Sequence, residues 1–271
     1  MYLMSGKLMF IAFLLLIVTL IETLAYATRI SGVRVRLMAT AISLFSTLVI
    51  VSRFSTMIQQ PLTANLISDA PKNGRLMIVE NEYRLLIIAV SIGVLLGIAL
   101  FPTFIGIFSR AILQLSRERG SMTALIGKWS NMKGLKAIIR CVRRPHLNDL
   151  KGITYQVIPK RLFILNVIIT AIYTVGVLAS LYASLLLPAK DATTAALSSG
   201  IINGVATILL TLFIDPKASV LADRVARQES SYIYLKSYSL TMISSKFIGT
   251  LVAQLLFIPA AYYVAWFTQI L

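Results

Sequence analysis

Six long, predominantly apolar runs divide the chain, at about Leu8–Ala27, Leu37–Ile58, Leu85–Phe108, Leu162–Leu187, Leu197–Ile214 and Phe247–Phe267. A bilayer's hydrocarbon core is about 30 Å thick, and a helix needs about 20 apolar residues to cross it. No water is available there to bond a bare N–H or C=O, so each run must satisfy its backbone internally, as a helix. A transmembrane barrel would instead show segments of about 10 residues with alternating polarity. Only 13% of the 271 residues are charged, against about 25% in a soluble domain. The prediction is an all-α polytopic membrane protein, one integral membrane domain over 1–271 with six transmembrane helices and a basic amphipathic cytoplasmic helix.

The formal charge is +16, a value often met in nucleic-acid-binding proteins. Here the basic residues fall between the apolar runs, which fits a membrane surface and no nucleic acid. Twenty of the 26 Lys and Arg lie in the connections after runs one, three and five, and six lie on the other side. The positive-inside rule therefore places both termini outside and the loop 110–161 in the cytoplasm. Ala25-Tyr26-Ala27 has the form of a signal-peptidase site, but one positive charge before the first run and three after it favour a retained helix. One cysteine, Cys141, and one histidine, His146, exclude an internal disulfide and a histidine metal cluster within one chain.

The most informative stretch runs from Glu22 to Arg53. Glu22 is the acid deepest in an apolar run, and Glu22, Tyr26 and Arg29 share one helix face. Glu22 is expected near the cytoplasmic end of its span, and Arg29, Arg34 and Arg36 in the basic connection that follows. Arg53 closes the second run at its outer end. An ionisable group in a span is a functional candidate by default, with a packing ion pair as the even alternative.

The connection Gln59–Tyr83 carries Gln60-Pro61, Ala70-Pro71 and Asn73-Gly74, which predict a loop. Glu80 and Glu82 then suit the first turn of the third helix, or join a polar cavity together with Arg84. Gly93-x-x-x-Gly97 and Gly200-x-x-x-Gly204 are expected to tighten helix contacts, and their gap-free alignment suggests a faint internal repeat. Pro102 is a place for a kink in the third helix. In the large loop, Met122, Leu125, Ile126, Trp129, Met132, Leu135, Ile138, Ile139 and Val142 keep helical spacing, with Lys and Arg between them. This predicts one amphipathic helix on the inner leaflet, ended by Pro145. Asp215-Pro216 marks a helix start, with Asp215 as its cap.

No P-loop, H-E-x-x-H pair or C-x-x-C is present, so the sequence calls for no cofactor and no metal. An arginine set instead suits phosphate, which guanidinium groups bind in pairs of parallel hydrogen bonds. Arg29, Arg34 and Arg36 would stand at headgroup depth on one side and Arg53 and Arg84 near it on the other. Asn166, Asn203 and Gln254 add polarity in spans four to six.

The segments Glu22-Thr23-Leu24-Ala25-Tyr26-Ala27-Thr28-Arg29-Ile30-Ser31-Gly32-Val33-Arg34, Ala39-Thr40-Ala41-Ile42-Ser43-Leu44-Phe45 and Val51-Ser52-Arg53 resemble the Amj family of bacterial lipid II flippases, alternates to the MurJ flippase. The resemblance extends over most of the chain. It implies a multi-pass protein of the bacterial plasma membrane that carries lipid II, an anionic polyprenyl pyrophosphate lipid, from the inner to the outer leaflet and performs no chemical reaction. Glu22, Arg29, Arg34, Arg36, Arg53, Glu80, Glu82 and Arg84 are then the substrate-binding candidates. Six spans make a small cage for so large a headgroup, which points to a homodimer. Two readings remain beside this one: a membrane enzyme acting on a polyprenyl pyrophosphate carrier, which would want clustered acids, and a non-transporting scaffold of the cell-wall machinery.

Overall fold

The computed structural model describes residues 6–142 and 159–270, and among these all regular structure is helical. The helices are α1 (Gly6–Val35), α2 (Met38–Asp69), α3 (Arg75–Arg117), α4 (Met122–Trp129), α5 (Met132–Ile139), α6 (Lys160–Leu186), α7 (Ala189–Leu197), α8 (Ser199–Leu209), α9 (Asp215–Ala226) and α10 (Tyr232–Thr268). A π-helical turn, Leu210–Ile214, joins α8 to α9 without a break. Six helical stretches are long and apolar enough to cross a membrane, the fifth being the broken rod from Ala189 to Ala226.

α1 packs most extensively on α3 and then on α2, and α10 packs on α6. Apolar side chains gather into two main clusters at opposite ends of the bundle. One joins Ile30, Phe108, Ile112, Ile214, Leu235 and Met242; the other joins Leu8, Tyr83, Leu86, Leu178 and Phe257. Small residues set the closest contacts. A Cβ on Gly93 would meet the Leu16 carbonyl oxygen at 2.7 Å, and one on Gly97 would meet Thr23 Cγ2 at 2.6 Å. Gly200 and Gly204 face open space, so the second glycine pair does not tighten the bundle and the proposed repeat finds no support in packing. α3 continues through Pro102.

Several helices outrun their apolar cores. α1 continues through Arg29 and Arg34, leaving a two-residue connection in which Arg36 takes a left-handed conformation (φ 59°) that ends the helix. α2 runs through Gln60-Pro61 to Asp69, so the expected loop shrinks to residues 70–74. Buried Gln59 and Thr63 bond one another there, and the Tyr83 hydroxyl donates to the Thr63 carbonyl. The side chains that read as loop are a helix face packed on α3. Glu80 and Glu82 consequently lie beyond the first turn of α3, which starts at Arg75.

α3 has 43 residues, about 65 Å at 1.5 Å per residue, and its far end carries α4 and α5. The expected single amphipathic helix is broken at Ser130-Asn131. A Cβ on Gly134 would meet the Lys128 carbonyl oxygen at 2.6 Å, so glycine lets the chain fold back. Leu125, Trp129 and Ile138 join the core, while Ile126, Ile139 and Val142 stay exposed. Arg143, Arg144, Pro145 and His146 lie outside the described residues.

Candidate functional site

Between the two apolar clusters lies a cavity of about 100 Å³, largely apolar in its wall but bearing charged and polar groups. α1 presents Thr19, Glu22 and Tyr26 to it, α2 presents Arg53, Thr56 and Gln59, α6 presents Asn166, Thr170 and Tyr173, and α10 presents Lys246. Each set recurs at three or four residues, one face of each helix. Ala206 and Leu210, the latter opening the π turn, close one wall. Such turns often mark functional positions.

Glu22 is the hub. One carboxylate oxygen accepts from the Ser52 hydroxyl at 2.6 Å and the other from Lys246 Nζ at 2.9 Å. The Glu22 and Lys246 side chains are 17% and 13% exposed. The Arg53 guanidinium lies 4.3 Å over the Tyr173 ring, and its Nη1 is buried with no hydrogen-bond partner. Asn166 donates to the Met242 carbonyl at 3.0 Å and to Ser245 at 2.7 Å, fixing α6 against α10 one turn from Lys246. Glu22 thus finds its partners on α2 and α10, and Arg29 is not among them.

Arg53 stands at the middle of α2 and Tyr173 at the middle of α6. α1 continues past Glu22 to Val35 and α2 past Arg53 to Asp69, so neither residue stands at a helix end. Lys246, which immediately precedes the sixth apolar run and counts there as a residue of the basic connection, lies well inside α10. Its signal was available: Tyr238 to Ser245 is uncharged, and the helix can begin at the Ser231 cap. Taking Lys246 and Arg53 out of the loop tally leaves the sign of the charge bias unchanged.

Arg29 forms a second pair. Its Nη2 donates to Asp215 Oδ1 at 2.9 Å, linking α1 to α9. The Arg29 side chain is only 4% exposed, its guanidinium lies 4.2 Å from the Phe45 ring centre, and Nε and Nη1 have no hydrogen-bond partner. The expected cap falls one residue earlier, on Ile214, with Asp215 the first residue of α9; the Asp215 carboxylate serves Arg29 instead. The Tyr238 hydroxyl donates to the Ile214 carbonyl in the π turn. Arg34 and Arg36 are exposed at this end of α1.

At the opposite end Arg84 donates to Glu80 at 2.9 Å and to the Gln254 backbone carbonyl at 2.9 Å, while the Gln254 side chain returns a bond to the Arg84 carbonyl. Glu82 keeps one buried carboxylate oxygen without a hydrogen-bond partner. Lys7 pairs with Asp69 nearby. The eight predicted site residues therefore divide among the central cavity (Glu22, Arg53), one end (Arg29, Arg34, Arg36) and the other (Glu80, Glu82, Arg84). Asn203 stands against Gly176 and takes no part in the cavity lining. On the other side of α6 an apolar groove of about 590 Å³ lies between α6, α8 and α10.

The cavity couples an acid, two cations and several neutral polar groups. Among the described residues no cluster of His, Cys, Asp or Glu could hold a metal ion. The arrangement suits an anionic polar group passing between apolar ends.

Comparison with known proteins agrees with the sequence resemblance. The family model described as "Alternate to MurJ" matches residues 14–268. A Bacillus subtilis (strain 168) protein named "Lipid II flippase Amj" is 51% identical over 269 residues, covering 99% of each chain. No solved structure matches the chain. With a family model covering nearly the whole chain and half its residues shared with a curated relative, this chain belongs to the Amj family.

Proposed function

We propose that the chain is a lipid II flippase of the bacterial plasma membrane, moving the polyprenyl pyrophosphate-linked peptidoglycan precursor from the inner to the outer leaflet. The observation that carries this reading is the charged cavity at the middle of α1, α2, α6 and α10, in a chain half identical to a protein of that name. Ionisable groups at that depth mark polar pathways. Arg34 and Arg36 gather the anionic headgroup at the cytoplasmic end, with Arg29 behind them. Arg53 meets it in the middle, beside Glu22, and Glu80, Glu82 and Arg84 form the outer mouth. The groove between α6, α8 and α10 takes part of the polyprenyl chain. Both termini lie outside, as the charge bias requires.

A cavity of about 100 Å³ has room for several waters and none for a disaccharide, so the helices must part during transport. A homodimer is the working unit, since six spans enclose little space. A native mass measurement in mild detergent that finds only monomer would count against it.

The test is a leaflet assay in cells depleted of other flippases, with an external toxin that cleaves exposed lipid II. At matched membrane levels, wild type exposes lipid II, and Glu22→Ala and Lys246→Ala cut exposure by about tenfold or more, as loss of a buried charge pair predicts. Wild type that accumulates lipid II inside and exposes none would overturn the reading.

A further inference from the structure

The central cavity carries two cations and one acid. Both Glu22 oxygens are engaged, by Ser52 and Lys246, and Arg53 is not among Glu22's hydrogen-bond partners. Arg53 is held by the Tyr173 ring face, with Nη1 buried and unbonded. Burying a cation without a full set of partners is costly, and the cost falls when an anion arrives. Arg53 offers a planar fork and Lys246 a mobile point charge, the two forms of cation used to hold phosphate. The Tyr26 hydroxyl stands close by, as does the Gln59 amide, which already donates one bond to Thr63. The other titratable or charged groups facing Glu22 are Tyr26 on its own helix, Tyr173 on α6, Arg53 on α2 and Lys246 on α10.

We propose that Arg53 and Lys246 form a pyrophosphate-binding pair, and that Glu22 is the built-in anion that competes with the substrate for Lys246. This rests on the flippase reading and assigns a distinct role to each of the three residues. In the arrangement seen here Glu22 holds Lys246. A pyrophosphate brings more charge than one carboxylate and takes Lys246 over, leaving Glu22 on Ser52. When Glu22 recaptures Lys246, the phosphate is released. Glu22 therefore weakens binding and speeds release. A residue that merely contacted the headgroup would do the opposite, because its loss would weaken binding.

The test uses the full chain purified in detergent, titrated by calorimetry with inorganic pyrophosphate and, separately, with undecaprenyl pyrophosphate in micelles. Glu22→Gln keeps an acceptor for Ser52 and removes the competing charge. It should tighten binding of both probes by about tenfold while lowering lipid II exposure in cells. Lys246→Gln should weaken binding by about as much. Arg53→Lys should weaken it less than Arg53→Gln, since the charge stays and the fork is lost. If glutamine at position 22 prevents folding, Glu22→Asp on its shorter arm serves instead, with intermediate tightening expected. Binding that is unchanged or weaker in the position 22 variant overturns the inference, as does a wild type that binds neither probe. Tightening seen only with the lipid would place the site on the polyprenyl chain and overturn the phosphate assignment. Wild type that exposes lipid II while Glu22→Gln leaves affinity unchanged loses the inference and keeps the flippase. Wild type that binds both probes and exposes none loses the flippase reading, and the inference with it.

Discussion

α1 sends out two buried ion pairs, two turns apart, and they are built differently. Glu22 spreads its charge over Lys246 and Ser52 on two other helices and borders a cavity with room for water. Arg29 has one carboxylate, two bare nitrogens and two aromatic rings, Phe45 and Tyr26, packed beside the apolar cluster. The first pair can exchange partners at small cost because water or an incoming ligand can replace either one. In the second, Arg29 is sealed by packing although Asp215 is a quarter exposed, so the pair acts as a brace between α1 and the helix that follows the π turn.

The brace should be the most sensitive point of the molecule. Asp215→Asn leaves Arg29 buried without a counter-charge and is expected to cost about 3–5 kcal/mol, read as a fall in the unfolding midpoint in detergent. Replacing both partners, with Arg29→Met and Asp215→Leu together, should recover most of that loss. Glu22→Gln should cost clearly less stability than Asp215→Asn while harming transport more. Equal stability losses would erase the distinction between the two pairs.

A smaller effect separates the two glycine pairs. Gly97→Leu drives a side chain into Thr23 and should cost about 1–3 kcal/mol, as overpacking does, whereas Gly204→Leu, which meets open space, should leave the midpoint unchanged. Both can be read in the same thermal scan.

The smallest effect lies outside the membrane, where Lys128 of α4 bonds Glu118 at the end of α3. That hydrogen bond holds the Glu118 carboxyl below its ordinary value of 4.5. The contact is complete above pH 4.5 and is lost as pH falls through the lower folded value. Protease cleavage between α3 and α5 should rise only in that acidic range, and Glu118→Gln should flatten the dependence.

The six spans were legible because apolar runs of membrane length have few other meanings. Glu22 was legible for the same reason, as an acid where acids are rare. Helix ends were not. Gln59, Gln60 and Pro61 read as loop, although Gln59 and Thr63 satisfy each other on a buried face. Lys246 was lost with the end of α10, since a hydropathy window cannot distinguish a lysine just outside a span from one that reaches an acid inside it. The Arg29–Asp215 pair joins residues 186 positions apart, and no local spacing announces such a contact. The amphipathic loop was recognised by its period, but the break at Ser130-Asn131 depends on Gly134 meeting the end of α4.

Arg53, at the middle of α2, is a charge carried on a helix of membrane-crossing length. A unit charge carried across the whole potential exchanges about 2.3 kcal/mol per 100 mV, and a partial shift exchanges the matching fraction. An anionic phosphate leaving a cell with a negative interior is driven outward by the membrane potential, and every cation that travels beside it subtracts from the pull. With Arg53 and Lys246 as the proposed phosphate pair, how far they move with it sets how much of each transport cycle the voltage drives.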